Sequence, residues 1–177
     1  MLLINGSNRE KNSYKVLNDI KESNDELISL ANKDIKFCLG CDSCKEKLEK
    51  YCVLNDYISN EVYDKIINNN KIILASPLYM SNITGLLKTM IDRLYPFYQH
   101  NLLKSKKIYL VLTGGGTYDD NEEEINSIID YFKGISEWLY FDFEFLYYFT
   151  EKDIIKSHDN YYKTIEKIKN TIKDWNR

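Results

Sequence analysis

The chain has 177 residues, 29% of them charged and 44% hydrophobic, with 24 Lys and Arg set against 27 Asp and Glu for a formal charge of −3. This length buries roughly two thirds of the unfolded surface in one core, so a single domain over 1–177 holds without disulfides or metal. The near balance of charge argues against the clustered basic face that a nucleic acid needs, and no apolar run approaches the ~18 residues of a membrane span.

Met1 to Asn5 is a short apolar run with no basic leader ahead of it, which predicts a strand and a cytoplasmic protein. After the loop that opens at Gly6, the spacing of Val16, Leu17 and Ile20 predicts a helix over Ser13 to Lys21. Glu26 to Ala31 reads as a weak second strand, and Tyr57 to Asn69 as a helix with Ile58, Val62, Ile66 and Ile67 on one face. Ile72 to Ala75 is a buried strand, followed by a Pro-containing turn and a helix presenting Leu87, Met90, Ile91 and Leu94. Asp92 and Arg93 fall off that stripe and are assigned to polar or subunit contacts, while the aromatic Tyr95-Pro-Phe-Tyr98 connection suits either core or interface.

Lys107 to Leu112 predicts a fourth strand closed by Gly114, Gly115 and Gly116, and Glu122 to Gly134 a helix with three glutamates in its first turn, where the helix dipole favours anions. Phe141 to Phe145 alternates Phe with Asp142 and Glu144, the period of a half-exposed edge strand. Tyr161 to Trp175 carries one apolar stripe with lysines opposite, a solvated face. The alternation of strands and helices predicts a three-layer α/β fold with five parallel strands.

In such sheets ligands bind at the carboxyl ends of the strands, which brings three loops together. The first, Gly6 to Ser13, offers Ser7, Asn8, Arg9, Asn12 and the free N–H groups of a helix start, chemistry suited to a phosphate. Neither GxGxxG nor GxxxxGK[ST] is present, so a terminal monophosphate fits better than a pyrophosphate or nucleoside triphosphate. Equally, Ser and Asn are ordinary helix caps. The second loop, Ser76 to Asn82, and the third, Thr113 to Thr117, can border a flat heterocycle with close backbone groups, covered by Tyr79 or Met80.

GSNREKNS after the first strand, ASPLYMSNITGLLKTMIDR after the third and TGGG after the fourth resemble the flavodoxin-like NAD(P)H-dependent FMN reductases. The resemblance covers Met1 to about Gly116, and it implies a flavodoxin-like sandwich of strand order 2-1-3-4-5 with FMN at the switch point between strands one and three. It implies a phosphate seat of Ser7, Arg9, Asn12, Ser13 and Tyr14, with the ring bordered by Pro77, Leu78, Tyr79, Met80, Ser81 and Asn82 and by Thr113, Gly114, Gly115 and Gly116. Asn8 stands where the family often has proline, and Tyr14 where a small hydroxyl residue is common. An implied homodimer or higher homo-oligomer would place Tyr95 to Tyr98 over a partner's flavin.

The expected activity is hydride transfer from NADPH or NADH to FMN, and onward electron transfer to a quinone, a free flavin, another small-molecule acceptor or an iron-sulfur cluster, with no side chain required as acid or base. The alternative is a non-enzymatic electron carrier of flavodoxin or iron-sulfur type, although Arg9 and the SPLY turn favour the reductase.

Cys38, Cys41, Cys44 and Cys52 form C-x2-C-x2-C-x7-C. This spacing lets thiolates converge on a metal centre and resembles the iron-sulfur flavoproteins, implying a 4Fe-4S cluster. Unligated reduced thiols, a four-thiolate zinc site, and a reactive thiol at Cys44 activated by Lys45 and Lys47 remain open alternatives. The spacer KEKLEKY is long and charged and has no glycine before the last cysteine. His100 and His158 are read as surface residues.

Overall fold

The computed structural model describes residues 1–46, 51–156 and 159–174, so Lys47, most of the KEKLEKY spacer, His158 and Trp175 lie outside the described residues. The strands are β1 Leu2–Asn5, β2 Glu26–Ser29, β3 Lys71–Pro77, β4 Lys107–Gly114 and β5 Asp142–Thr150. They form one parallel sheet of order β2-β1-β3-β4-β5. Each is joined by a helical crossover, as parallel pairing requires.

The apolar runs bury both faces of this sheet. Leu2, Ile4, Ile72, Leu74, Ile108 and Leu110 point into one core, and Leu3, Ile73, Ala75, Tyr109 and Val111 into the other. The two-residue period of a strand divides each run between two helical layers. On the first side lie α3 Tyr63–Asn68, preceded by a π-helical turn Ile58–Val62, then α4 Gly85–Asp92, α5 Tyr95–Gln99 and α6 Glu122–Leu139. On the second lie α1 Asn12–Ile20, α7 Glu151–Lys156 and α8 Asp159–Asp174. The short α2 Ser43–Glu46 follows β2.

The differences from the sequence reading are local. The helix expected to stop at Gly134 continues to Leu139 and ends at Tyr140 in the left-handed conformation. The fifth strand runs nine residues and carries a register shift opposite Leu110 and Val111, which sets a bulge at the edge where bulges are tolerated. Tyr95 to Gln99 is helical, with Phe97 fully buried, so this connection is core at its centre, while Tyr95 and Tyr98 remain half-exposed.

Candidate functional site

The site begins with Asn5, the last residue of β1. It is fully buried, and every polar atom of its amide is used: Oδ1 accepts the Ser7 N–H at 3.2 Å, and Nδ2 donates to Ser29 Oγ at 2.9 Å and to the Arg9 carbonyl at 3.3 Å. One side chain therefore folds the first loop and ties it to β2. Ser7 Oγ continues the turn by accepting the Arg9 N–H at 3.2 Å. Gly6 is required between them, because a Cβ there would stand 2.8 Å from Leu87 Cβ and 3.0 Å from the Ala75 carbonyl.

The loops after β1, β3 and β4 are bonded to one another. Thr84 caps α4 by accepting the Leu87 N–H at 3.0 Å, and the same hydroxyl donates to the Gly6 carbonyl. Ser76 Oγ accepts the Thr84 N–H at 3.0 Å, Ser13 Oγ and Thr113 Oγ1 lie 2.9 Å apart, and the Leu78 N–H donates to the Thr113 carbonyl at 2.8 Å. Outside the buried shell, Arg9 Nη2 donates to Tyr79 Oη at 3.1 Å.

Together they enclose a cavity of about 230 Å³. Ser7, Arg9, Asn12 and Ser13 line it from the first loop, Pro77, Leu78 and Tyr79 from the second, and Thr113, Gly114 and Gly115 from the third. Tyr14, Met80, Ser81, Asn82 and Gly116 do not. Met80 and Ser81 have φ of 49° and 61°, forming the tip of a tight turn closed by Tyr79 and Asn82, and Met80 is 98% exposed. Ser81 Oγ instead donates to Glu124, Asn82 Oδ1 accepts the Ile83 N–H, and the Gly116 carbonyl accepts from Tyr148.

Two lining residues escaped the sequence reading, Lys11 and Glu151. Lys11 lies inside the GSNREKNS loop. Glu151 follows β5 at the same sheet edge, where the carboxyl-end rule applies equally.

The cavity fits a phosphorylated ligand on two counts. Lys11 is the N-cap residue of α1 and no side chain caps the helix, so the first-turn N–H groups that helix geometry leaves without partners open at the lining formed by Arg9, Lys11, Asn12 and Ser13. The ordinary capped loop is therefore not what is built. A Cβ placed on Gly115 meets nothing within 4 Å, so the third loop leaves space for a flat group against its backbone.

The cysteines stand elsewhere. Cys38 and Cys41 are exposed and Cys44 and Cys52 half-buried, and all four line one separate cavity of about 230 Å³ with Asp92 and Tyr95. Among the described residues no three His, Cys, Asp or Glu side chains converge as ligands of one ion, so this geometry supports neither the four-thiolate zinc site nor the 4Fe-4S cluster expected from the spacing. Hydrogen bonds from Ser43 lower the Cys41 thiol, whereas burial, reinforced by the other three thiols, raises Cys44. The alternative of a thiol activated at Cys44 finds no support from Lys45, which is paired with Asp42 at 2.8 Å while burial makes Cys44 harder to ionise, and Lys47 lies outside the described residues. Asp92 pairs with Lys88 on the surface, while Arg93 is buried within this same chain.

The sequence pattern of the family described as NADPH-dependent FMN reductase matches residues 1–126. The chain belongs to that family, whose chemistry is FMN-dependent oxidoreduction. Among curated relatives, an iron-sulfur flavoprotein of Methanocaldococcus jannaschii is 34% identical over 120 residues, covering 66% of this chain and 60% of that one. A second, from Methanosarcina thermophila, is 30% identical over 129 residues, covering 71% and 66%. The match thus spans about three fifths to two thirds of these relatives' own length. Two solved structures share the fold. A protein of P. pentosaceus described as an NADPH-quinone reductase superposes with a TM-score of 0.68 at 14% identity, covering 96% of this chain and 95% of that one. A Bacillus anthracis FMN-dependent NADH-azoreductase in complex with FMN gives 0.61 at 18% identity, covering 97% and 98%.

Proposed function

We propose that this chain is an FMN-dependent NAD(P)H oxidoreductase that delivers electrons to a small-molecule acceptor such as a quinone or free flavin. The observation that carries the reading is the uncapped start of α1 beside Arg9 and Lys11, at a cavity walled by three mutually bonded loops. Ser7, Arg9, Asn12 and Ser13 hold the phosphate in this reading. Pro77, Leu78 and Tyr79 and Thr113, Gly114 and Gly115 border the ring. When bound, FMN accepts a hydride and releases its two electrons singly or together. The protein's part is to hold the phosphate with a charge-assisted bond, to fix the ring between two loops, and to leave one face open to the nicotinamide. Cytoplasmic placement and a homodimer belong to the proposal, the latter supported by the surface stack of Tyr98, Trp138 and Tyr140.

The test is FMN titration of the apoprotein followed by stopped-flow mixing with NADPH and NADH. Arg9→Ala should weaken FMN by about 1.5–3 kcal/mol, roughly 10- to 150-fold, because a bond to a charged group is lost. Bleaching of the flavin by either nicotinamide is the expected result, and none with both would favour the electron carrier.

A second reading concerns the thiols. Each cysteine of a 4Fe-4S cluster takes a different iron, so the donors must surround a volume and need not meet at a point, and Cys38, Cys41, Cys44 and Cys52 share one cavity. Such a cluster would receive single electrons from the flavin. Assay of iron and acid-labile sulfide in anaerobically purified protein decides it.

A further inference from the structure

The segment from Lys36 to Asp56 carries all four cysteines, and its two ends are brought together at a fully buried ion pair. Arg93, just past the end of α4, is 1% exposed, and its Nη1 bonds Asp56 Oδ2 with neither side chain accessible. Asp56 reaches both legs of the segment, with Oδ2 accepting the Lys36 N–H at 2.9 Å and Oδ1 the Ser59 N–H at 3.1 Å. Arg93 repeats the pattern, with Nη1 donating to the Lys36 carbonyl at 3.2 Å and Nη2 to Ser59 Oγ at 2.6 Å. Beside them the Tyr57 N–H donates to the Asp34 carbonyl at 2.9 Å. Inside the loop, Tyr51 wedges edge-on against Tyr63 and Phe97, at ring centroid distances of 5.9 and 5.7 Å, directly before Cys52.

We infer that Arg93 and Asp56 are positioning residues for the thiol cavity: they close the neck of the cysteine loop and thereby hold Cys38, Cys41, Cys44 and Cys52 around one space. Three features separate this from generic core stabilisation. A buried ion pair is a poor source of stability, since hydrophobic side chains of similar volume often serve as well. Its partners are specifically the two legs of one loop. Asp92, next to Arg93 in sequence, itself lines the thiol cavity. Among the described residues the side chains of Arg93 and Asp56 hydrogen-bond Lys36, Ser59 and each other, none of which lies in the three loops at the sheet edge, so their loss should be felt by the thiols and not by the flavin seat. The inference rests on the shared thiol cavity of the second reading, but not on what fills it.

The experiment uses the full chain loaded with FMN, stripped of iron by a chelator and titrated with phenylarsine oxide. A stable adduct needs two thiols within reach of one arsenic: two As–S bonds form, and the two thiol protons leave with the arsenical oxygen as water. Adduct is read by mass spectrometry and flavin retention by fluorescence. Asp56→Asn and Arg93→Lys should weaken capture about 10-fold or more, as loss of the groups that orient metal ligands commonly does. Ser59→Ala, which leaves no buried charge unpaired, should weaken it less. FMN affinity should change by no more than about 2-fold, because the two cavities share no lining residue.

Variants that hold FMN and capture the arsenical as the parent does overturn the inference, and so does a parallel loss of both ligands. If Asp56→Asn does not fold, Ser59→Ala decides alone. A parent that captures no arsenical overturns the shared cavity and the inference with it. A parent that captures arsenical but incorporates no iron or sulfide removes the cluster and leaves the neck standing.

Discussion

The sheet-edge cavity and the thiol cavity have about the same volume, yet they are held in opposite ways. At the sheet edge, three loops leave rigid strands and are cross-linked several times, by Asn5, Thr84, Ser13 with Thr113, and Leu78 with Thr113. No single bond carries the geometry, which suits a site that must fix a phosphate and a ring at once. The thiol cavity is an excursion from the sheet, and its ends converge on one ion pair. Redundant attachment gives precision, whereas attachment at a neck lets a loop be assembled around a ligand without disturbing the fold. Removing single links should therefore hurt the second region far more than the first.

The largest effect is expected at the neck. Arg93→Met leaves Asp56 buried without its cation, and breaking such a pair typically costs about 3–5 kcal/mol, measurable by urea unfolding. Burial alone would push the Asp56 carboxyl up, but hydrogen bonds from Arg93 and from the Lys36 and Ser59 N–H groups outweigh it, so its pKa falls below the ordinary 3.8. A carboxyl with a depressed folded pKa adds stability that is complete well above 3.8 and is lost as pH falls below 3.8 through the folded value. Unfolding free energy measured down that acid range should decline in the parent, and the portion due to this group should vanish in Asp56→Asn. An unchanged acid slope would show that the neck is not ionised.

At the sheet edge the largest single loss should be smaller. Thr84→Val removes the cap of α4 and the bond to the Gly6 carbonyl, and caps of this kind are worth about 1 kcal/mol and up to 2. FMN should still bind, because the other links remain. Loss of FMN binding in a folded Thr84→Val protein would mean that the three loops are not redundant.

The contrast between the regions also explains what could be read from the sequence. The apolar runs of β1, β3 and β4 and the polar, Gly- and Pro-bearing segments after them announce a parallel sheet and its functional edge, because burial on both faces leaves an uninterrupted pattern. Strand order and ten of the expected pocket residues followed from that logic and from the family resemblance. Asn5 did not, since an amide at a strand end looks like a place where the strand merely stops. Arg93 was expected in polar or subunit contacts, and its polar contacts turn out to lie inside the chain, with a residue 37 positions away. Periodicity reports where apolar side chains are buried, and a buried charge is invisible to it until its partner is known. Glu151 was missed because the resemblance ended before it, although the sheet-edge rule covers the loop after β5 as well.

The smallest effects should come from the cavity rim. Gly115→Ala adds a methyl group to open space, so the apoprotein should unfold at the parent's urea midpoint while FMN binds more weakly, the methyl now occupying room a ring would use. Equal FMN affinity would move the ring away from the third loop. Tyr79→Phe removes only the exposed bond from Arg9, a contribution of about 0.5–1.5 kcal/mol at most. Its sign for FMN is the informative part. If Tyr79 competes with the phosphate for the guanidinium, deleting the hydroxyl frees Arg9 and FMN should bind slightly tighter. A slightly weaker complex would instead mean that the tyrosine holds Arg9 in the orientation the phosphate needs.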